Sequence, residues 1–296
     1  MDIKNQEILK KYVSDIESVL YNYTKCDNII QKNVLKAMEY SLSAGGKRIR
    51  PVLMLEFYRM CGGENDITPI ACTIEMIHTF SLIHDDLPCM DNDDFRRGKP
   101  SCHKAYGEAI ALLAGDALAT LPYEIISDEA LKGNISFEIA AKLIKQLSNA
   151  VGADGMIGGQ VIDIENEGKL VTTETLMVLD KLKTGALIKA ACVMGCILAD
   201  ATDEQISKAI EYAEKIGHAF QIIDDILDVT STFEKLGKPI KSDEKQNKST
   251  YVSLYGLEAS KEIAQNLSNE ALKTLEYFED NQFMIDLTKM LLSRNN

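Results

Sequence analysis

Two groups of carboxylates, Asp85-Asp86-Leu87-Pro88-Cys89-Met90-Asp91 and Asp224-Asp225-Ile226-Leu227-Asp228, hold the residue types best suited to chemistry in this chain. In the second group a residue and its i+4 neighbour stand one above the other on a helix, so Asp224, Asp225 and Asp228 point the same way. Two unit charges ~4 Å apart repel by about 4 kcal/mol at an effective dielectric near 20. Such a face therefore takes up protons or holds cations. All-oxygen donors suit magnesium, which keeps several waters and joins one or two protein carboxylates to substrate phosphates. Two such groups predict a phosphorylated substrate held between them.

Cations accompany both groups. Ala44-Gly45-Gly46 ends a predicted helix over 32–42 and leads into Lys47, Arg48, Ile49 and Arg50, with Pro51 expected at the first position of the next helix. Three cations beside a helix N-terminus suit an anion; a solvated basic turn is the plainer alternative. His78 precedes Asp85 by seven residues and shares its helix face, either as a packed core residue or as part of the acidic site. Pro88 restricts Leu87 and should end or kink the helix, so Asp91 joins the first group only if the chain bends back. Arg96 and Arg97 follow at once. As surface ion pairs they are worth at most about 1 kcal/mol, whereas as guanidinium forks they would grip a diphosphate.

The second group is set into longer helical patterning. Within the helix predicted over 180–199, Gly185 costs about 1 kcal/mol, which predicts a kink or close packing that exposes Lys183 and Thr184. Gln221 joins Asp224, Asp225 and Asp228 within an arc of about 100°. A solvated acidic stripe is the common fate of such a run, but Phe220, Ile222, Ile223, Ile226 and Leu227 flank it, and a narrow strip facing a cavity fits that pattern better. Gly237-Lys238 and Lys248 fall in a predicted loop.

The elements that must position these residues read as helices throughout. The chain has 296 residues, 46% of them apolar, and only six prolines, with none between Pro122 and Pro239. This predicts an all-α fold, one domain over 1–296. A net charge of −13 and a pI near 4.9 argue against nucleic acid as partner. The beginning, MDIKNQEILKKY, lacks a secretory apolar stretch. The apolar runs 110–121 and 186–198 are broken by Asp116 and Lys189, so no membrane span is expected. A soluble, cytoplasmic protein is the expectation. Seven cysteines without a CxxC pair predict free thiols in a reducing compartment.

GGKRIRP, SLIHDDLPCMDNDDFRRGKP, KTG, FQIIDDILD and LGK followed by KSTY, in that order, resemble the short-chain trans-isoprenyl diphosphate synthases, most of all the bacterial farnesyl diphosphate synthases. The resemblance spans nearly the whole chain. It implies the isoprenoid synthase fold, a helical bundle around a deep central cavity, working as a homodimer. It also implies three magnesium ions on Asp85, Asp91 and Asp224, with Asp86, Asp225 and Asp228 as close partners. Arg96, Lys183, Thr184, Gln221 and Lys238 match the allylic diphosphate contacts, and Lys47, Arg50, His78 and Arg97 the isopentenyl diphosphate site. Phe80 matches the family's aromatic floor for the growing chain, although helix geometry alone puts Ser81 closer to the Asp85 face.

The implied reaction is head-to-tail condensation of isopentenyl diphosphate with dimethylallyl and geranyl diphosphate to (2E,6E)-farnesyl diphosphate, by ionisation, condensation and elimination. Geranylgeranyl diphosphate is the nearest alternative product. A terpene cyclase shares the first acidic group, but its second metal motif mixes Asn or Asp, Ser or Thr, and Glu. A phosphohydrolase built on His84-Asp85 leaves the second group unexplained. A di-iron bundle needs paired Glu-x-x-His motifs, of which only Glu75 to His78 qualifies. A non-catalytic partner subunit typically lacks one acidic group, and this chain has both.

Overall fold

The computed structural model describes residues 1–25, 29–230 and 249–292. Lys238, Lys248 and Cys26 lie outside the described residues. The fold is all-α, as predicted; among the described residues, strand is confined to a two-stranded hairpin, Phe95–Arg96 (β1) and Lys99–Pro100 (β2). The chain divides into two compact units. One comprises residues 8–55 and 64–144, the other residues 1–7, 56–63 and 145–296.

The first unit, which carries Asp85, contains most of α1 (Ile3–Asn22), α2 (Lys32–Leu42), the start of α3 (Ile49–Met60), α4 (Thr68–Asp85), the hairpin, α5 (Cys102–Tyr106) and α6 (Glu108–Leu131). The helix α4 starts where Asp66 Oδ1 accepts from Thr68 N at 2.9 Å, with Pro69 in its first turn. Proline is tolerated there because that N–H has no partner inside the helix. Its residues Ile70, Ala71, Ile74 and Ile77 are buried, and it packs chiefly on α6. At 24 residues, α6 is by length and composition apolar enough to cross a membrane. The core helix of a soluble protein passes the same test. Within the unit α6 packs against α2, α4 and α5.

A buried cation ties this unit together. Arg48 stands at φ 49°, uncommon for a residue with a Cβ, and its guanidinium donates to Glu75 Oε1 (2.8 Å), Glu17 Oε1 (3.0 Å) and the Leu42 carbonyl (2.6 Å). Its side chain is wholly buried, and Glu75 is nearly so. The three cations expected at the α3 N-terminus are therefore reduced by one: Arg48 is part of the core. The helix also begins at Ile49, two residues before Pro51.

The second unit, which carries Asp224, holds α7 from residue 145 onward (α7 is Phe137–Val151), α8 (Met156–Glu165), α9 (Thr173–Asp180), a π-helical turn at Lys181–Gly185, α10 (Ala186–Leu198), α11 (Asp203–Thr230), α12 (Tyr251–Tyr255), α13 (Leu257–Leu275) and α14 (Gln282–Leu292). The long α11 packs on α10 and α13. Leu176, Ile222, Ile223, Ile226, Tyr251 and Ala264 form a buried cluster beneath its acidic face.

Replacing Arg48 with Met leaves Glu75 buried without its cation, and losing one partner of a buried pair costs about 3–5 kcal/mol. Urea denaturation should give that loss for Arg48→Met and recover most of it in Arg48→Met/Glu75→Leu. Equal losses in both proteins would rule out a buried ion pair as the cause.

Candidate functional site

In the Asp85 unit, α4 ends at Asp85, before Pro88 as predicted, and the chain turns back so that Asp91 N donates to the Asp85 carbonyl at 2.9 Å. The bend that Asp91 needed is present. Asp86 is buried and accepts from the Arg96 guanidinium, which also reaches Asp93 Oδ2 at 3.1 Å. Burial raises the Asp86 pKa despite that cation. Arg96 is delivered by the hairpin, whose turn residues Arg97 and Gly98 both have positive φ (52° and 78°), the geometry of a type I′ turn.

The same turn sends Arg97 to the carbonyl of Gly45. A Cβ on Gly46 would meet the Arg97 guanidinium at 2.6 Å, so the glycine makes room for it. Gly45-Gly46 is thus the floor under Arg97 as well as a helix break. Lys47 is exposed and Arg50 partly buried in the adjoining turn and the start of α3. Burial, then the cations of Arg50, Arg97 and Arg48, hold the His78 imidazole well below its ordinary pKa. A neutral His78 near Arg50 and Arg97 can donate to an anion from one ring nitrogen.

Phe80 is 8% exposed and meets His84 edge-on, with ring centroids 4.8 Å apart. Ser81 is partly exposed, and its hydroxyl donates to the His78 carbonyl at 2.9 Å. His84 Nε2 pairs with the Leu112 carbonyl at 3.1 Å and occupies the space where a Gly115 side chain would stand. It is engaged with α6, which removes the basis for a phosphohydrolase built on His84-Asp85. Glu75, held by Arg48, is likewise unavailable to a di-iron pair with His78.

In the Asp224 unit the feature predicted at Gly185 takes both suggested forms. The helix opens into the π turn, and Gly185 lets α11 approach closely: a Cβ on Gly217 would lie 3.3 Å from the Gly185 Cα. A Cβ on Gly159 would clash with the Lys183 backbone at 2.4 Å, so α8 also packs tightly there. Lys183 Nζ pairs with Asp163 Oδ2 at 2.5 Å. The Thr184 hydroxyl donates to Gln221 Oε1 (3.2 Å), Gln221 Nε2 donates to Asp225 Oδ1 (3.2 Å), and Tyr251 N donates to Asp225 Oδ2 (2.9 Å).

The shared face of α11 is therefore graded. Asp225 is buried and accepts from the Gln221 amide and the Tyr251 N–H, while Asp224 and Asp228 are partly exposed. A cavity of about 150 Å³ opens beside Lys183, Thr184, Gln221, Asp225, Asp163 and Asp180. Asp163, Asp180 and Tyr251 were not singled out from sequence. Asp163 follows the Gly158-Gly159 pair, a weak signal of close packing, and Tyr251 closes the KSTY segment. Nothing in the sequence marks Asp180, a buried acid whose Oδ2 has no hydrogen-bond partner among the described residues.

Comparison with known proteins decides the family. The family model described as Polyprenyl synthetase matches residues 31–282. The chain belongs to the polyprenyl synthetase family. Its activity is accordingly that of a trans-prenyl diphosphate synthase, a prenyltransferase. It is 47% identical over 266 residues to a geranylgeranyl diphosphate synthase of Cyanophora paradoxa (89% of this chain, 88% of the relative). It is 47% identical over 269 residues to a farnesyl diphosphate synthase of Micrococcus luteus (90% of each chain). A crystal structure of an FPP/GFPP synthase from Zymomonas mobilis matches with TM-score 0.88 and 33% identity over 99% of this chain and 100% of that one.

Burial, then the neighbouring Asp225 carboxylate, pushes Asp180 up to about 8. Between about pH 4 and about pH 8 the folded protein keeps a proton that the unfolded chain releases, so Asp180 makes stability fall as pH rises through that window. In magnesium-free buffer with chelator, Asp180→Asn should therefore gain stability relative to the parent between about pH 5 and about pH 8. A difference in urea midpoint that stays constant with pH would refute the assignment.

Proposed function

We propose that this prenyltransferase condenses isopentenyl diphosphate with dimethylallyl and then geranyl diphosphate to give farnesyl diphosphate. The supporting observation is that each unit sets a carboxylate group near a cation suited to diphosphate: Asp86, in the group with Asp85 and Asp91, is paired with Arg96, and Asp225, on the face that carries Asp224 and Asp228, lines one cavity with Lys183. The similarity to farnesyl diphosphate synthases over nine-tenths of the chain supports the fifteen-carbon product. A geranylgeranyl synthase at the same identity supports a twenty-carbon alternative. One synthetase domain over the whole chain, a homodimer and a cytoplasmic location belong to the same reading and rest on the family resemblance and the sequence.

The donor set fits magnesium. All the acidic side chains concerned offer oxygen, and among the described residues no three His, Cys, Asp or Glu side chains converge into a ready-made cage. Magnesium suits such open sites because substrate phosphates and waters complete its shell. Asp85, Asp91 and Asp224 would hold the ions, three in number by resemblance, with Asp86, Asp225 and Asp228 close by. When bound, the metal neutralises charge on the departing diphosphate.

The chain's own cations share that task. Arg96, Lys183 and Thr184, with Gln221 beside them, would bind the allylic diphosphate and stabilise it as the C–O bond ionises. Lys238 has the same proposed role. Lys47, Arg50, His78 and Arg97 would hold isopentenyl diphosphate, whose double bond attacks the allylic cation. A proton then leaves to the released diphosphate. No side-chain nucleophile is needed.

Purified protein given magnesium, isopentenyl diphosphate and either dimethylallyl or geranyl diphosphate should yield the fifteen-carbon diphosphate from both. Absence of any condensation would remove the reading, and a mainly twenty-carbon product would favour the alternative. In the same assay Asp224→Ala should lower kcat/KM at least ~100-fold, the scale of losing one group that stabilises transition-state charge. Phe80→Ala should lengthen the product, and an unchanged chromatographic profile would take Phe80 out of chain-length control.

A further inference from the structure

Outside the residues assigned to prenyl transfer, two thiols lie together in the Asp224 unit. Cys61 follows the last residue of α3, and Cys196 lies on α10. Their Sγ atoms are 3.7 Å apart in a hydrogen bond. Cys196 is wholly buried, whereas Cys61 is partly exposed. Cys61 sits in a helix-ending turn in which its N–H donates to the Phe57 carbonyl (3.1 Å), Gly62 N to the Arg59 carbonyl and Gly63 N to the Tyr58 carbonyl. Gly62 takes φ 91° to make that turn.

We propose that Cys61 and Cys196 are an oxidation site that closes to a disulfide under peroxide, with Cys61 as the attacking thiol and Cys196 as the resolving one. The pairing has the order that the mechanism requires: an accessible thiol in contact with a buried one. The bond to Cys196 holds the Cys61 thiol below its ordinary pKa, and the same bond, with burial, holds Cys196 above its own. The thiolate is the reactive form.

In the first step the Cys61 thiolate attacks one peroxide oxygen and the O–O bond breaks, leaving Cys61 as sulfenic acid and releasing hydroxide, which takes up a proton as water. In the second step the Cys196 sulfur attacks the Cys61 sulfur, the S–O bond breaks and a second water leaves. Two thiols are oxidised and one peroxide is reduced to two waters. A disulfide has an S–S length of about 2.05 Å, so the sulfurs must approach by roughly 1.7 Å, which rotation of the more exposed Cys61 side chain can supply. The product ties the end of α3 to α10, the helix that continues directly from the π turn bearing Lys183 and Thr184.

The other described thiols give internal controls. Cys72, Cys102 and Cys192 are buried, and Cys89 is exposed. The full-length folded protein would be treated with a small excess of hydrogen peroxide, alkylated, and digested for peptide mass spectrometry with and without a dithiol reductant. A reducible cross-link between the Cys61 and Cys196 peptides is expected, growing faster than any other modification except at Cys89. In Cys196→Ser, Cys61 should lose its resolving partner and pass on to sulfinic acid; in Cys61→Ser, Cys196 should stay unmodified. The proposal is overturned if Cys61 in the parent protein ends as sulfinic acid with Cys196 still reduced, or if both thiols remain unoxidised while Cys89 reacts.

Discussion

Burying a guanidinium is unfavourable by several kcal/mol unless its donors are matched, and Arg48 is matched by Glu75, Glu17 and the Leu42 carbonyl. Those partners come from α4, α1 and the end of α2. One cation thus fixes the crossing of three helices. The turn 43–47 and the first residue of α3 adjoin it in the chain, so the places of Lys47, Arg50 and the Gly45 carbonyl that receives Arg97 follow from that anchor. The helix α4, held at Glu75, then runs through His78 and Phe80 to Asp85. Everything proposed for isopentenyl diphosphate in this unit is set from Arg48, which itself faces no substrate.

Two of the cations proposed to grip the allylic diphosphate are already paired with a carboxylate: Arg96 with Asp86, and Lys183 with Asp163. This pairing keeps a long, flexible cation pointed into its site when no anion is present. It also sets a condition on binding, because an incoming diphosphate must compete with the resident carboxylate. Metal on the neighbouring aspartates would shift that competition by neutralising the acidic side. Asp225 has the opposite design. It accepts from neutral donors, Gln221 and the Tyr251 N–H, and so ties the face that carries Asp224 and Asp228 to the start of α12.

The sequence made helices and the two carboxylate groups legible because they depend on local spacing. Pro88 predicted the end of α4, and Gly185 predicted the disturbance that became the π turn. The roles that went unread depend on what lies opposite. Arg48 reads as one of three equivalent cations, because nothing local reveals Glu75 twenty-seven residues later as its partner. Asp180 reads as an ordinary helical acid, since its burial comes from tertiary packing. Gly45-Gly46 reads as a helix break, and its second function, clearance for Arg97, needs the hairpin turn to be placed. The run 110–121 is part of a longer helix, α6, because its acids Glu108, Asp116, Glu124, Asp128 and Glu129 do not interrupt helix formation.

Phe80, proposed as the floor for the growing chain, is also a core residue. Its ring is almost fully buried, and one edge is held by His84, which fills the space over Gly115 and pairs with the Leu112 carbonyl. Removing an aromatic side chain from a closed core costs about 3–5 kcal/mol because a cavity remains. If the space beside Phe80 opens toward a substrate channel, a longer prenyl chain can fill it, and ligand binding to the folded state then offsets part of that loss. The His84–Leu112 contact does not involve the Phe80 ring, so the α4–α6 frame survives its truncation. Stability measured with and without a long prenyl diphosphate therefore separates the two roles: a pure core residue is destabilised equally in both, whereas a channel floor is rescued by the longer ligand.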